Sequence, residues 1–272
     1  MKKIVTASIV LYNNDTNILL KAIESILNSS YFESKLYLID NSPIDSLKNI
    51  SNDSRVLYFH NPSNPGFGSS HNFAITKAIE IGADYHFVVN PDIYFNNNVI
   101  VQMVEFMSQD DSIGMLMPQI RHPDGKIQYL PKLLPSPWHM VWRKIGKSQN
   151  LFQKFINLYE LRNIDDSQIY NVPIISGCFT LLNLKAIEEI GMYDDKFFMY
   201  FEDWDLSRRI HKRYKTLYFP LVNVCHEYES GANKNIKLFL IFVKSAIYYF
   251  GKWGWFFDKK RAQINRTVLE QL

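Results

Sequence analysis

The chain has 272 residues, 47% of them hydrophobic, with two cysteines and a formal net charge of +3. Such a chain buries a full core as one large domain, or as a domain with an appendage. The weak positive charge gives no polyanion signal, so nucleic acid is not implied as a partner, although Lys and Arg cluster locally at 143–147, 208–215 and 259–261. Cys178 and Cys225 fit neither a disulfide framework nor a CxxC metal site, which points to a reducing, cytosolic compartment.

The opening "MKKIVTASIVLYNND" lacks the length of a signal peptide's apolar region and reads as a first strand. Short β-branched runs then alternate with helical patterns, the signature of a parallel sheet covered by helices on both faces. The expected strands are Ile4–Leu11, Leu36–Ile39, Val56–Phe59 and Tyr85–Val89, and the expected helices Thr16–Leu27, Ser69–Ile81 and Asn98–Met107. After the strands come "YNN", "DNSP", "NPSNPGFGSSHN" and "NPD". In an open parallel sheet these loops leave by one edge, where ligands bind.

Asp124–Gly125 predicts a tight turn, and a Pro-rich segment at 131–150 with a helical stretch to about Arg162 interrupts the alternation. "YNVPIISGCFTLLN" (170–183) reads as a strand, and "TLYFPLVNVCHEYESG" as a strand-like run. No run of eighteen uncharged apolar residues occurs, so no spanning helix is expected. The nearest approach, 238–257, carries Lys244 and Lys252; it reads equally as an interfacial helix or as one packed on the protein's own core.

Four places suggest chemistry. "GFGSSHN" is a weak phosphate fingerprint; Gly66 and Gly68 allow a tight turn and close approach to a flat ligand, with Asn64 and Asn72 as hydrogen-bonding partners. In "VVNPDIYF" the proline ends the strand and fixes Asp92 at the cleft floor, either as a hard oxygen ligand for Mg²⁺ or Mn²⁺ or as a helix cap. His226, at the end of its run, is placed to reach the same cleft. In "FFMYFEDWDLSRRI", Glu202, Asp203 and Asp205 follow a row of bulky residues. This reads as a helix start, with Asp205 pairing to Arg209, and equally as a catalytic carboxylate in a dry cleft.

In order and spacing, "SIVLYNN", "LIDNS", "NPGFGSSHNFAI", "VVNPDIYF", "SGCFTLLN" and "GMYDDKFFMYFEDWDLSRRI" resemble the family 2 glycosyltransferases of GT-A fold, especially the bacterial rhamnosyltransferase-like members, over roughly residues 4–230. The resemblance implies an inverting, metal-dependent enzyme with a mostly parallel central sheet and a nucleotide-diphosphate sugar as donor. By position, Tyr12, Asn13 and Asp40 would hold the nucleoside, with Asn64, Gly68, Asn72 and Asn90 near the nucleotide. Asn90 stands where the family's first DxD aspartate would be. Asp92 and His226 would hold Mg²⁺ or Mn²⁺, and Asp203 would be the base with Glu202 beside it. Ser176, Gly177, Cys178 and Trp204 would line the acceptor side.

The expected organisation is a domain over 1–230, divided into a nucleotide-binding half (1–118) and an acceptor-binding half (119–230) with its insertion at 131–165, followed by a C-terminal helical segment (231–272). The preferred reaction is transfer of L-rhamnose from dTDP-rhamnose to a glycan or lipid-diphosphate-linked sugar in surface polysaccharide synthesis. The expected location is cytoplasmic, peripheral on the inner membrane face, with Lys244, Lys252, Trp253, Trp255 and the 259–261 cluster meeting the lipid. The rivals are a UDP-hexose-using enzyme of the same fold and a non-catalytic carbohydrate-binding member; a sugar nucleotidylyltransferase would want a basic Gly-rich loop after the first strand, which "LYNNDTN" lacks.

Overall fold

The computed structural model describes residues 3–29, 35–96, 98–145, 150–227 and 236–272. The expected domain boundary near 230 lies outside the described residues, as do the side chains of the 143–147 cluster and of Lys259. The first half runs β1 (Val5–Leu11), α1 (Thr16–Leu27), β2 (Leu36–Asp40), β3 (Val56–His60), α2 (Phe67–Glu80), β4 (Tyr85–Val89), β5 (Ile93–Tyr94) and α3 (Asn98–Ser108). The second half runs β6 (Ile113–Arg121), α4 (Pro137–Ile145), α5 (Asn150–Tyr159), β7 (Tyr170–Asn171), β8 (Phe179–Asn183), α6 (Leu184–Ile190), α7 (Glu202–Ile210), β9 (Lys215–His226), α8 (Ile236–Trp253) and α9 (Lys259–Glu270).

One sheet carries the fold, in the order β3-β2-β1-β4-β8-β6-β9-β5, with β7 paired to β9. β1, β2, β3 and β4 are parallel neighbours, and all of β2 and β4 is buried, the mostly apolar strands carrying Asp40 and His86 into the interior with them. α1 begins at Asp15, whose side chain accepts from the Asn17 and Ile18 amides, and it buries Leu19, Ala22, Ile23 and Ile26. β8 runs antiparallel between β4 and β6, and β6 is parallel to β9. Two reversals restore direction, so β6 and β9 end at the same edge as β4, and β8 begins there.

Two expectations change. Residues 170–183 are not one strand: β7 pairs with β9, while β8 pairs with β4 and β6. Pro173 and Gly177 lie in the connection between them. The turn at Asp124–Gly125 is present, with Gly125 at φ 82°, but the chain returning to β6 makes only an isolated bridge, Arg121 to Ile127. Both cysteines are free. Among the described residues, no helix is long and apolar enough to cross a membrane.

α8 does not stand apart from the sheet domain. It buries Ser245, Tyr249 and Phe250, and with Phe197 and Phe201 the two aromatic side chains form a second core cluster directly before α7.

Candidate active site

The sheet topology assembles the cleft. Tyr12 and Asn13 follow β1, Asp40 ends β2, Asn64 follows β3, Asn90 and Asp92 follow β4, Ser176–Cys178 lead into β8 and His226 ends β9. All therefore lie along one edge of the sheet.

Asp92 and His226 meet there because β5 pairs antiparallel with β9, with Ile93 opposite His226. His226 Nε2 stands 3.3 Å from Asp92 Oδ1, a charge contact, since that oxygen is buried with no hydrogen-bond partner. Gln128 grips His226 at both ends: its amide nitrogen donates to the His226 carbonyl (3.0 Å) and its oxygen faces Nδ1 (3.1 Å). An amide oxygen only accepts, so Nδ1 carries a proton, and Nε2 is the ring nitrogen that faces Asp92 and, at 3.4 Å, the Asn90 amide; with the ring charged, Nε2 carries a proton too, which a bound cation would displace. Burial presses the ring's pKa down, but the Asp92 carboxylate and the Cys178 side chain outweigh it and lift it to about 10. This pair fits a hard divalent cation: an orphaned carboxylate oxygen faces an imidazole at a separation close to the roughly 3 Å of neighbouring ligands on one octahedral ion. Among the described residues no group of three or more His, Cys, Asp or Glu forms a metal cluster. Two protein ligands leave positions for phosphate oxygens and water, as Mg²⁺ and Mn²⁺ sites that bind nucleotides do.

The carboxylates of α7 lie across the Ser176–Cys178 segment. Asp203 accepts from the Gly177 amide (3.0 Å) and from the Trp204 amide (2.9 Å). Burial raises its pKa to about 6, against the opposing pull of those two amides and of Lys132. Glu202 is also buried, its Oε2 has no partner, and burial together with the Asp203 charge holds it well above the usual carboxylate range. In this pair Asp203, with the amides, is the ionised member near neutrality and Glu202 the neutral one. The other end of the segment meets the loop that carries Asp92: the Cys178 carbonyl accepts from the Asn90 amide at 2.8 Å. Three residues thus join the two halves of the site.

α7 is entered through two successive left-handed residues, Tyr200 (φ 70°) and Phe201 (φ 68°). Each costs about 1–2 kcal/mol in a residue with a Cβ. The same loop touches the glycine turn: the Phe67 amide donates to the Phe198 carbonyl at 2.9 Å, and at Gly66 (φ 102°) a Cβ would lie 2.2 Å from that oxygen. Only glycine fits there. The expected Asp205–Arg209 pair is present at 2.8 Å, so α7 is both an acid-rich helix start, with no side-chain cap at Phe201, and the carrier of a buried acid.

The remaining candidates divide. Tyr12 is exposed on the cleft edge, and Asn13 (φ 51°) is held by its amide to Ser42 Oγ at 2.8 Å. Asn64 is also left-handed (φ 46°). Asp40 is fully buried, and both carboxylate oxygens have protein partners: it accepts from Tyr58 (2.6 Å) and the Ser42 amide (2.9 Å). Asn72 is not turned to a nucleotide: its amide donates to Tyr193 O and Asp195 Oδ1 and accepts from Tyr193 N, stapling α2 to the 193–195 loop. Gly68 packs on Tyr193, where a Cβ would meet that side chain's Cβ at 2.9 Å. Trp204 is half-buried against Phe201 and Tyr249. Sequence reasoning passed over Gln128, Lys132 and Asn41, whose Oδ1 is buried without a partner just past β2. Lys132 lies at the start of the Pro-rich segment and Gln128 just before it, where no periodicity marks them.

Two residues expected at a lipid surface are engaged by the protein's own acids. Lys252 reaches Asp194 (2.7 Å) and Asp205 (2.9 Å), and Trp253 Nε1 donates to Asp205 Oδ1 at 2.8 Å. Trp255, Phe256 and Phe257 are exposed, as is Trp138, whose ring lies 6.2 Å from that of Phe256.

The model of the family "Glycosyl transferase family 2" matches residues 6–191. An N-acetylglucosaminyl-diphospho-decaprenol L-rhamnosyltransferase of Mycobacterium tuberculosis is 27% identical over 177 residues, 60% of this chain and 56% of the relative. The low-salt glycan biosynthesis hexosyltransferase Agl10 of Haloferax volcanii is 24% identical over 174 residues, 63% of this chain and 52% of the relative. The chain thus spans about half the length of these curated relatives. Among solved structures, GalNAc-T7 with UDP, GalNAc and Mn²⁺ aligns with a TM-score of 0.63 at 17% identity, over 84% of this chain and 44% of that one. The mannosyltransferase PcManGT of Pyrobaculum calidifontis, solved with GDP-Man and Mn²⁺, aligns with a TM-score of 0.58 at 12% identity, over 100% of this chain and 81% of that one. The shared fold is GT-A.

Proposed function

Since the chain belongs to glycosyltransferase family 2, we propose that it moves a sugar, with inversion, from a nucleoside-diphosphate donor to a hydroxyl of a glycan or lipid-diphosphate-linked sugar. The observation that carries this reading is the arrangement around Ser176–Cys178: an ionisable buried carboxylate, Asp203, on one side and the Asp92–His226 pair on the other. A single displacement needs a base facing the acceptor and charge neutralisation at the leaving group.

In this mechanism Asp203 accepts the proton of the attacking acceptor hydroxyl as the new glycosidic bond forms and the bond from the anomeric carbon to the diphosphate breaks. The Gly177 and Trp204 amides hold Asp203 in place, and neutral Glu202 adds no competing charge. Asp92 and His226 would hold Mg²⁺ or Mn²⁺, which neutralises charge on the departing diphosphate. Gln128 orients His226 for that role.

L-Rhamnose from dTDP-rhamnose is the preferred donor, supported by the mycobacterial relative. A UDP-hexose is the second reading, supported by the hexosyltransferase relative and the UDP-bound neighbour. The acceptor belongs to surface polysaccharide synthesis, and the enzyme works at the cytoplasmic membrane face. The exposed Trp138, Trp255, Phe256 and Phe257 support that placement.

The test is calorimetric binding of dTDP, UDP and GDP with and without Mn²⁺, to the wild type and to Asp92→Ala. Metal-dependent binding of one nucleotide, lost in the variant, supports the reading and names the donor class. No binding of any nucleotide removes it.

A further inference from the structure

We propose that α8 is part of the catalytic apparatus, with Ser245, Lys252 and Trp253 as positioning residues that hold the Tyr200–Phe201 turn and through it the carboxylate of Asp203. The inference rests on the reading of Asp203 as the base.

The turn is inherently unfavourable, since two consecutive residues with side chains take the left-handed conformation. Something must overdetermine it, and most of its contacts come from α8. Ser245 Oγ donates to the Met199 carbonyl at 2.8 Å, one residue before the turn. The Tyr200 ring lies edge-on to Phe242 at 5.7 Å, and the Phe201 ring sits among Phe242, Tyr249 and Phe250 at 5.2, 5.4 and 6.4 Å. Upstream, Phe197 packs on Tyr248 at 4.7 Å.

The far end of α8 grips the turn from both chain directions. Lys252 bridges Asp194, before the aromatic run, and Asp205, in the first turn of α7. Asp194 also accepts from Tyr248 at 2.9 Å, and Asp205, fully buried, from Trp253 Nε1 and Arg209. Asp205 lies two residues from the base and touches neither Asp92 nor His226. Its three donors therefore read as a device that fixes the rotation of α7, and with it the direction of Asp203. The opposite side of the loop rests on Gly66 and Phe67, so the base is clamped between the glycine turn and α8.

The test uses Ser245→Ala and Trp253→Phe in the full chain, each removing one hydrogen bond with little change of volume. The readouts are kcat, donor KM, the acid limb of the kcat profile, calorimetric nucleotide binding with Mn²⁺ and a thermal melt. The groups that face Asp203 from the surrounding elements are Glu202, Tyr193 and Lys132, all retained in these variants. The expected result is a kcat at least tenfold lower in each variant, with nucleotide affinity unchanged and the acid limb moved below pH 6 as the loosened carboxylate gains water. Folded variants with wild-type kcat and an unmoved limb overturn the proposal. A parallel Asp203→Asn variant that keeps full activity overturns the assignment of the base itself, which separates the two failures.

Discussion

Gly177 and Asp203 touch along the backbone: the Gly177 amide donates to Asp203 Oδ2 at 3.0 Å, and a Cβ at position 177 would stand 3.2 Å from the Asp203 Cβ and 3.4 Å from the Phe67 ring. Neither neighbour is the free end of a flexible chain. Gly177→Ala therefore displaces the base by a few tenths of an ångström while leaving the cation pair in place. The expected outcome is a kcat reduced tenfold to a hundredfold, with dTDP or UDP affinity in Mn²⁺ unchanged. Wild-type kcat in this variant would remove Gly177 from the catalytic geometry.

The pKa of Asp203 sets a pH limb. A base works deprotonated, so kcat/KM rises with pH through about 6, the value to which burial lifts this carboxylate. Glu202, Tyr193 and Lys132 face it, and the Lys132 charge pulls its pKa down. Lys132→Met therefore moves the limb upward, to higher pH, and Asp203→Asn lowers kcat by roughly two to four orders of magnitude. A limb that Lys132→Met leaves unmoved, or moves down, contradicts the assigned electrostatics.

The parts of this fold visible in the sequence are those where one physical signal dominates. β1, β2 and β4 lie inside a parallel sheet and show as short runs rich in β-branched and aromatic residues; each matches its expected limits to within one residue. The loops on one edge follow from that topology. By contrast, "YNVPIISGCFTLLN" reads as one strand because apolar residues dominate both of its halves, and composition does not reveal that the two parts pair with different neighbours. Asn72 illustrates the limit for sites: a polar residue near a glycine turn reads as a ligand contact, whereas its actual partners, Tyr193 and Asp195, are more than a hundred residues away. Lys252 and Trp253 read as an interfacial pair for the same reason, since Asp205 and Asp194 become their neighbours only once α8 folds back.

Asn72 accordingly serves stability. Its side chain makes three hydrogen bonds linking α2 to residues 193–195, two of them to the Tyr193 backbone. At about 1 kcal/mol net for each bond, Asn72→Ala destabilises the protein by roughly 2–3 kcal/mol, with nucleotide affinity unchanged when measured well below the melting temperature. Chemical denaturation checks the first part and calorimetry the second. A stable variant with weakened nucleotide binding would return Asn72 to the binding site.

Gln128 offers the sharpest test of the cation site because it supports a proposed ligand, His226, without being one. Its oxygen holds a proton on Nδ1, and its nitrogen anchors the His226 carbonyl, so Nε2, the nitrogen that would yield its proton to a cation, is directed at Asp92 by a residue outside the proposed ligand set. Such supporting hydrogen bonds typically contribute 10- to 100-fold in metal affinity. Gln128→Leu preserves bulk but removes both contacts, freeing the ring to take the other tautomer. Mn²⁺ affinity in the presence of nucleoside diphosphate is then expected to fall by that factor, and raising Mn²⁺ should restore turnover toward the wild-type kcat. Asp92→Ala removes an actual ligand and should resist such rescue. If Gln128→Leu binds Mn²⁺ as the wild type does, His226 is not a ligand whose orientation matters, and the cation must be held by Asp92 and the donor without it.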